Sequence, residues 1–332
     1  MIFDEVQNVP RVATKGGLSV LLLRDAWRSD IFALNAEYAV VSCYMKLSVI
    51  TDEVSQELSR VVKFAINHGL NGVEIRTLWN MKPHELVERV GEIRRELGAA
   101  GLEVSAIASP VFKCDLSSEE EYREHLEILD RCISLAKSLD TNIIRVFTFW
   151  RKGRLEQYLD QILEKFMTAV DKAASEGVVL AVENEPSTHV NNGKRLRQFL
   201  DAVSKPKVVS GVWDPGNDVF DPEGERPYPE GYYHVRGRFV HVHVKDGRRL
   251  DGGHEFTPVG EGEVNWLEQL RALARDGYTG YLSLETHWRP KQLPRELVEL
   301  PGGEAYSAMG EYASTICIRN LKRLLREALG GG

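Results

Sequence analysis

The sequence predicts an α/β protein folded as a (β/α)8 barrel, and three observations carry that prediction. From Lys46 onward one unit recurs: a short apolar strand, a polar loop, then an amphipathic helix. Eight such units fill about 285 residues, close to the roughly 250 of a typical barrel of this kind. Strands that alternate with helices in this way pair in parallel. The rival architecture, an open doubly wound sheet, wants a Gly-rich phosphate loop after an early strand. The stretch "TDEVSQ" after the first strand is no such loop.

The first four strands are expected in "LSVIT" (47–51), "GVEIR" (72–76), "LEVSAIA" (102–108) and "NIIRVFTF" (142–149). The last four are expected in "GVVLAVENE" (177–185), "VVSGVWD" (208–214), "FVHVHVKD" (239–246) and "YLSLET" (281–286). Helical patterns lie between them, among them "SQELSRVVKFAINHG", "EEYREHLEILDRCISLAKSL" and "LEQYLDQILEKFMTAVDKAASEG". Several of them stop at Gly, a common helix C-terminus. The helix "SAMGEYASTICIRNLKRLLREAL" closes the repeat before "GGG".

Residues 1–44 stand outside the repeat, and "MKLSVITDEVSQ" reads as a natural beginning at Met45. The expected organisation is an N-terminal extension over 1–44, added or arising from an early start codon, followed by a barrel domain over 45–332. The composition, 43% hydrophobic and 27% charged over 332 residues, suits a soluble globular chain with a large core. No apolar run is long enough to span a bilayer, and Asp4 and Glu5 sit where a secretory signal would be positive. The expected location is therefore the cytoplasm. Cys43, Cys114, Cys132 and Cys317 form no CxxC pair and read as free thiols. A formal charge of −7 gives no electrostatic footprint for nucleic acid. The expected partner is a small molecule, and a homo-oligomer is compatible with the sequence.

In such a barrel the active site lies at the C-terminal ends of the strands. Strand 5 ends in Glu183, strand 6 in Asp214, strand 7 in His243 and Lys245, and strand 8 in Glu285. Alternation puts Glu183 on one face with Ala181, Glu285 with Ser283, and His243 with His241. Val240, Val242 and Val244 then take the opposite face, toward the helices. Any one of these acids is well explained by a neighbouring Arg or Lys. Four successive strands each ending in a metal-competent group point instead to a divalent cation, because bare carboxylates facing one another are costly to bury. Three oxygens and one nitrogen suit Mn²⁺, Mg²⁺, Co²⁺ or Zn²⁺.

The motifs "AVENEPSTH", "GVWDPGN", "FVHVHVKD", "PVGEGEVNW" and "GYLSLETHW" resemble the xylose-isomerase-like TIM barrels. More narrowly they are similar to the sugar phosphate isomerase/epimerase group of ketose 3-epimerases, hydroxypyruvate isomerases and inosose dehydratases. The resemblance runs from about Met45 to the end. It implies one divalent metal, Mn²⁺ first, held by Glu183, Asp214, His243 and Glu285. It also implies a sugar, sugar-acid or polyol substrate, isomerised or epimerised through a metal-stabilised enediolate. Glu183 and Glu285 would exchange the proton.

His241 is expected to support the metal histidine by a hydrogen bond. The resemblance offers Asn217, Arg249 and Glu74 as substrate contacts. Arg249 reads equally as a solvated loop residue, and Glu74 as the partner of Arg145 in an interior salt bridge. His189 stands where the ketose epimerases carry a glutamate, a departure from their pattern. Trp150 is placed to roof the pocket or simply to pack. Lys245 either neutralises a substrate anion or pairs with a ligand carboxylate. A lyase of the inosose-dehydratase kind would use the same metal and the same proton abstraction. A phosphodiesterase like endonuclease IV needs further histidines, which "EIRTLW", "AIASPVF" and "VFTFW" at the ends of strands 2 to 4 do not supply.

Overall fold

The computed structural model describes residues 45–251, 253–291 and 295–330. The expected extension over 1–44, and Cys43 with it, lies outside the described residues. Ten strands follow in order: β1 (Lys46–Val49), β2 (Gly72–Ile75), β3 (Glu103–Ala108), β4 (Ile143–Val146), β5 (Val179–Glu183), β6 (Val209–Trp213), β7 (Phe239–Val244), β8 (Gly247–Leu250), β9 (Gly253–Phe256) and β10 (Tyr281–Leu284). β8 and β9 pair antiparallel as a hairpin that the repeat did not announce. The other eight are the expected barrel strands, all parallel, in the order β1-β10-β7-β6-β5-β4-β3-β2. The seam between β1 and β2 is drawn together by a parallel bridge from Ile50 to Glu74. Asn71 adds to it: its N–H donates to the Leu47 carbonyl at 2.8 Å, and its side-chain oxygen accepts from the Leu47 N–H at 2.8 Å.

Among the described residues seven long helices flank the strands: α1 (Leu58–Asn67), α2 (Val90–Ala99), α3 (Glu119–Ser138), α4 (Leu155–Glu176), α5 (Gly193–Val203), α6 (Trp266–Arg275) and α7 (Gly310–Ala328). α4 stops at Gly177, whose φ of 71° is the left-handed C-cap that glycine adopts freely. Two helices begin later than their sequence patterns. α1 starts after Ser55 and Gln56, because the buried Gln56 amide is taken by Thr77 and Ser307 at 2.8 and 3.0 Å. α7 starts after Met309, whose φ is 60°. Among the described residues no helix is long and apolar enough to cross a membrane. Cys114, Cys132 and Cys317 are free and buried.

Alternation divides the barrel into two environments. Val73, Ile75, Leu180, Val182, Val242, Val244, Leu282 and Leu284 point outward and join one apolar core with Phe166, Leu196, Leu270 and Leu321 of the helices. Each such side chain contributes roughly 1.5–3 kcal/mol by leaving water. Residues paired across parallel strands share a face, so the register sets Arg145 beside Ala181, His241 beside Tyr281, His243 beside Ser283, and Ser283 in turn beside Ser48. The barrel interior is thus polar along β4, β7 and β10.

Candidate metal centre

The strand-end residues converge. One ligand atom each from Glu183, Asp214, His243 and Glu285 lie within 4.8 Å of one another, and all four residues are buried. His243 Nδ1 is 3.2 Å from Glu183 Oε1, 3.4 Å from Glu285 Oε2 and 3.9 Å from Asp214 Oδ2. Local sequence explains each placement. Glu183 is the last residue of β5, on the inward parity. Asp214 caps the short helix Pro215–Val219, accepting the Asn217 N–H on Oδ1 at 3.0 Å, while Pro215 presets the first turn. That fixes Oδ2 toward the cluster. Gly216 follows because an added Cβ would stand 2.9 Å from Lys245 Cβ, Cγ and carbonyl oxygen.

The second imidazole nitrogen of His243 faces Glu74 Oε1 at 3.1 Å, and His241 Nε2 faces Glu74 Oε2 at 2.8 Å. One fully buried carboxylate from β2 therefore holds both histidines of β7 across the barrel. His241 makes its hydrogen bond to Glu74 and not to His243 itself. Glu74 itself corrects both readings offered for it: it does not line the cavity, and Arg145 turns to Glu183 Oε2 at 2.8 Å instead. Arg145 stands beside Ala181 in register, and its long side chain reaches two residues further along β5 to Glu183.

Burial pushes the Asp214 carboxyl up, and Glu285 and Glu183 add to this while Lys245 opposes it, leaving it at about 7. Burial likewise works against the charged forms of Glu183, Glu285 and His243. For Glu183 it is outweighed by His243 and Arg145, and for Glu285 by Lys245 and His287, so both stay below the usual carboxylate range. Glu74, Glu183 and Glu285 outweigh it for His243, which is held above the ordinary imidazole value.

Among the described residues two other groupings of acids and imidazoles have ligand-like spacing, and in both the carboxylate oxygens are taken up by the protein, although His287 Nδ1 is left without a hydrogen-bond partner. Glu74, His241 and His243 use their facing atoms on each other. Glu53, Glu285 and His287 surround guanidinium groups: Arg76 reaches Glu53 at 2.9 Å and Glu285 at 2.5 Å, and Arg289 reaches Glu53 at 3.1 Å. The group of four differs. Asp214 Oδ2 is buried with no hydrogen-bond partner among the described residues, although the Lys245 ammonium is 2.7 Å away. Three carboxylates within 3.9 Å of one imidazole nitrogen, with an orphaned carboxylate oxygen among them, fit a divalent cation.

A cavity of about 560 Å³ opens over this cluster. Asn217 lines it, donating to Glu183 Oε1 at 3.1 Å and to the Asn184 carbonyl at 2.9 Å. Lys245 lines it too, but its ammonium pairs with Asp214 at 2.7 Å and Glu285 at 2.8 Å. Three expected contacts do not reach it. Arg249, on β8, donates to the carbonyls of Val219, Asp218 and Glu225, tying the unforeseen hairpin to the loop after β6. His189 is buried against Tyr158, ring centroids 4.7 Å apart, outside the cavity wall. Trp150 forms a bridge with Thr188 and leaves the wall to Phe147, its neighbour on the inward parity of β4.

Sequence reasoning missed Arg76, Lys113 and His287, which line the cavity. Arg76 carried a signal, since it stands two past Glu74 and so shares its face. Lys113 lies in a loop, where parity says nothing. The motif "KDG" also acquires a reason. Asp246 accepts the N–H groups of Gly247, Gly260, Gly262 and Val264, anchoring the "PVGEGEVNW" loop to the end of β7.

Comparison with known proteins agrees with this architecture. The profile of the Xylose isomerase-like TIM barrel family matches residues 62–304. An uncharacterized protein of Methanocaldococcus jannaschii is 25% identical over 188 residues, 53% of this chain and 62% of that protein's length. The chain thus spans less than two thirds of that curated relative. Among solved structures, D-allulose 3-epimerase from Methylomonas sp. superposes with a TM-score of 0.65 at 15% identity, covering 85% of this chain and 98% of that one. The IOLI protein with a binding zinc atom superposes with a TM-score of 0.63 at 17% identity, covering 86% and 98%. At these identities the likeness to both structures is one of fold.

Proposed function

The chain belongs to the xylose isomerase-like TIM barrel family, and from that premise we propose that it is a metal-dependent isomerase or epimerase of a small sugar, sugar acid or polyol. The observation that carries the reading is the buried convergence of Glu183, Asp214, His243 and Glu285 beneath the cavity. One divalent cation, with Mn²⁺ the first to test, would be held by these four residues. It would supply a Lewis acid that steadies negative charge growing on a substrate carbonyl oxygen. The D-allulose 3-epimerase and zinc-bearing IOLI likenesses support the same reading.

Glu183 and Glu285 stand 3.2 and 3.4 Å from the same His243 ring nitrogen, and in the proposed exchange one removes a proton from the carbon next to the carbonyl and the other returns it from the opposite face. Asn217 orients Glu183, and Lys245 with Arg76 orients Glu285. Phe147, Phe220 and Phe256 supply apolar wall against which sugar C–H faces pack.

The test is turnover in D₂O on a panel of ketoses, keto-acids and keto-inositols. Deuterium on the carbon beside the carbonyl is expected, and a labelled product that has lost water would assign the lyase reaction instead. Glu285→Gln should reduce turnover by about 10²–10⁴-fold. A Glu285→Gln variant that retains its metal and turns over at the parent rate would overturn the two-carboxylate exchange.

A further inference from the structure

Six cationic side chains line the cavity: Arg76, Lys82, Lys113, Arg145, Arg151 and Lys245. They fall into two sets. Arg76, Arg145 and Lys245 are each spent on buried carboxylates of the cluster, at 2.5 to 2.9 Å. The other three lie away from it, in loops after β2, β3 and β4. Lys82 and Arg151 are exposed and have no ion-pair partner among the described residues. Lys113 is almost wholly buried, its side chain 7% exposed, and its ammonium meets Glu185 Oε2 at 3.1 Å and the Glu299 carbonyl at 3.0 Å. An ammonium has three donors, so one remains.

Two of these cations belong to one continuous wall. Lys113 touches Glu185, Glu185 Oε1 accepts the Ser187 hydroxyl at 2.9 Å, and the Ser187 carbonyl accepts the Arg151 N–H at 2.8 Å. Glu185, a carboxylate of this wall, has both its oxygens engaged, by Lys113 and by Ser187. Burying the Lys113 ammonium beside Phe147, 4.7 Å from the ring centroid, has a desolvation cost that a single carboxylate neighbour only partly offsets. A chain of net charge −7 has nonetheless gathered an excess of unpaired positive charge on one side of this cavity.

We propose that the substrate carries an oxyanion, a carboxylate or a phosphate monoester, at the end remote from its reacting carbons, and that Lys113, Arg151 and Lys82 hold it. The inference rests on the functional reading above and names the substrate class for it. Oxyanions accept charge-assisted hydrogen bonds from such groups. The Phe147 ring meets both sets of cations, its centroid 4.7 Å from the Lys113 ammonium and 4.5 Å from the Arg145 guanidinium carbon.

The experiment titrates inorganic phosphate, D-gluconate and neutral D-glucose into the full chain by calorimetry, once chelator-treated and once loaded with Mn²⁺, for the parent, Lys113→Gln and Arg151→Gln. At least one oxyanion should bind more tightly than glucose, and each variant should weaken it by about tenfold, the scale of one hydrogen bond to a charged group. Preference for phosphate would identify a phosphorylated substrate, and preference for gluconate a sugar acid. Glucose binding as tightly as either anion, or anion affinity unchanged in both variants, would overturn the proposal. Arg151 is exposed, so its variant folds as the parent does and keeps the test decisive. Metal content of every sample separates the two readings. A parent that takes no metal but binds oxyanions through Lys113 and Arg151 overturns the proposed chemistry and leaves the subsite standing. A metal-loaded parent whose anion affinity ignores both substitutions overturns the subsite alone.

Discussion

On the β1–β2 side of Glu285, Asp52 and Glu53 face the guanidinium groups of Arg76 and Arg289 at 2.8 to 3.1 Å. The Tyr306 hydroxyl also donates to Glu53. On the β5–β7 side, Glu74, Glu183, Asp214 and Glu285 face Arg145, Lys245 and two imidazoles. Both clusters are fully buried and rich in carboxylates. The first is matched acid for base, and burial of the Glu53 carboxyl is outweighed by Arg289, His287 and Arg76, which hold it at about 2. The second is short of fixed positive charge, and there the Asp214 carboxyl rises to about 7. Burial raises the Asp52 carboxyl in the first cluster too, so what sets the second apart as the candidate metal centre is the deficit of fixed cations around its carboxylates.

The largest effect should come from breaking the matched cluster. Arg76→Met strands Asp52 and Glu53, and should cost about 3–5 kcal/mol in urea unfolding, as removing one partner of a buried pair does. The loss should be similar with and without Mn²⁺. If metal restored it, the two clusters would be one.

The unmatched cluster should instead be stabilised by its cation. Free Mn²⁺ at a hundredfold excess over its dissociation constant should raise unfolding free energy by about 2.7 kcal/mol. His243→Ala should abolish that gain and most of the bound metal in elemental analysis. Equal melting temperatures for chelated and reconstituted parent protein would erase the distinction drawn between the clusters.

Glu74 sharpens the comparison, since it acts on the metal centre only through His243 and His241. Glu74→Gln should weaken metal binding by about 10–100-fold, the range for an outer partner of a ligand imidazole. A competition titration with a chelating dye would measure it.

The smallest effect lies outside both clusters. Burial, aided by Arg151 and Lys152, depresses the His189 imidazole to about 4, well under its ordinary 6.5. A folded-state value below the unfolded one for a histidine means that the unfolded chain binds the proton first. Stability is therefore complete above about 6.5 and declines as pH falls toward 4. Urea midpoints at pH 7 and pH 5 should differ less for His189→Phe than for the parent.

How the fold was legible follows from the same residues. All eight barrel strands stood where apolar runs alternated with amphipathic helices, within a few residues of their observed ends. The hairpin β8–β9 was not legible, because "GRRLDGGHEF" is polar on both parities and its pairing buries little. Glu183, Asp214, His243 and Glu285 were legible as neighbours because strand parity and strand-end position are both local properties. Arg249 turned away from the cavity because it sits on the unforeseen β8, and Trp150 because it lies past the end of β4. There φ/ψ of the loop, and not a two-residue period, sets where a side chain goes; Phe149, at a φ of 63°, turns the chain just before Trp150.

Sequence by itself thus determined the barrel, its strand order and the inward row of metal-competent groups, since each follows from a periodicity that survives without knowledge of neighbours. Only the tertiary structure decided which cation answers which carboxylate. Glu74 meets His241 across 167 positions, and Arg76 meets Glu285 across 209. Such meetings depend on the stagger of strands around the closed barrel, which is set by the packing of all eight at once.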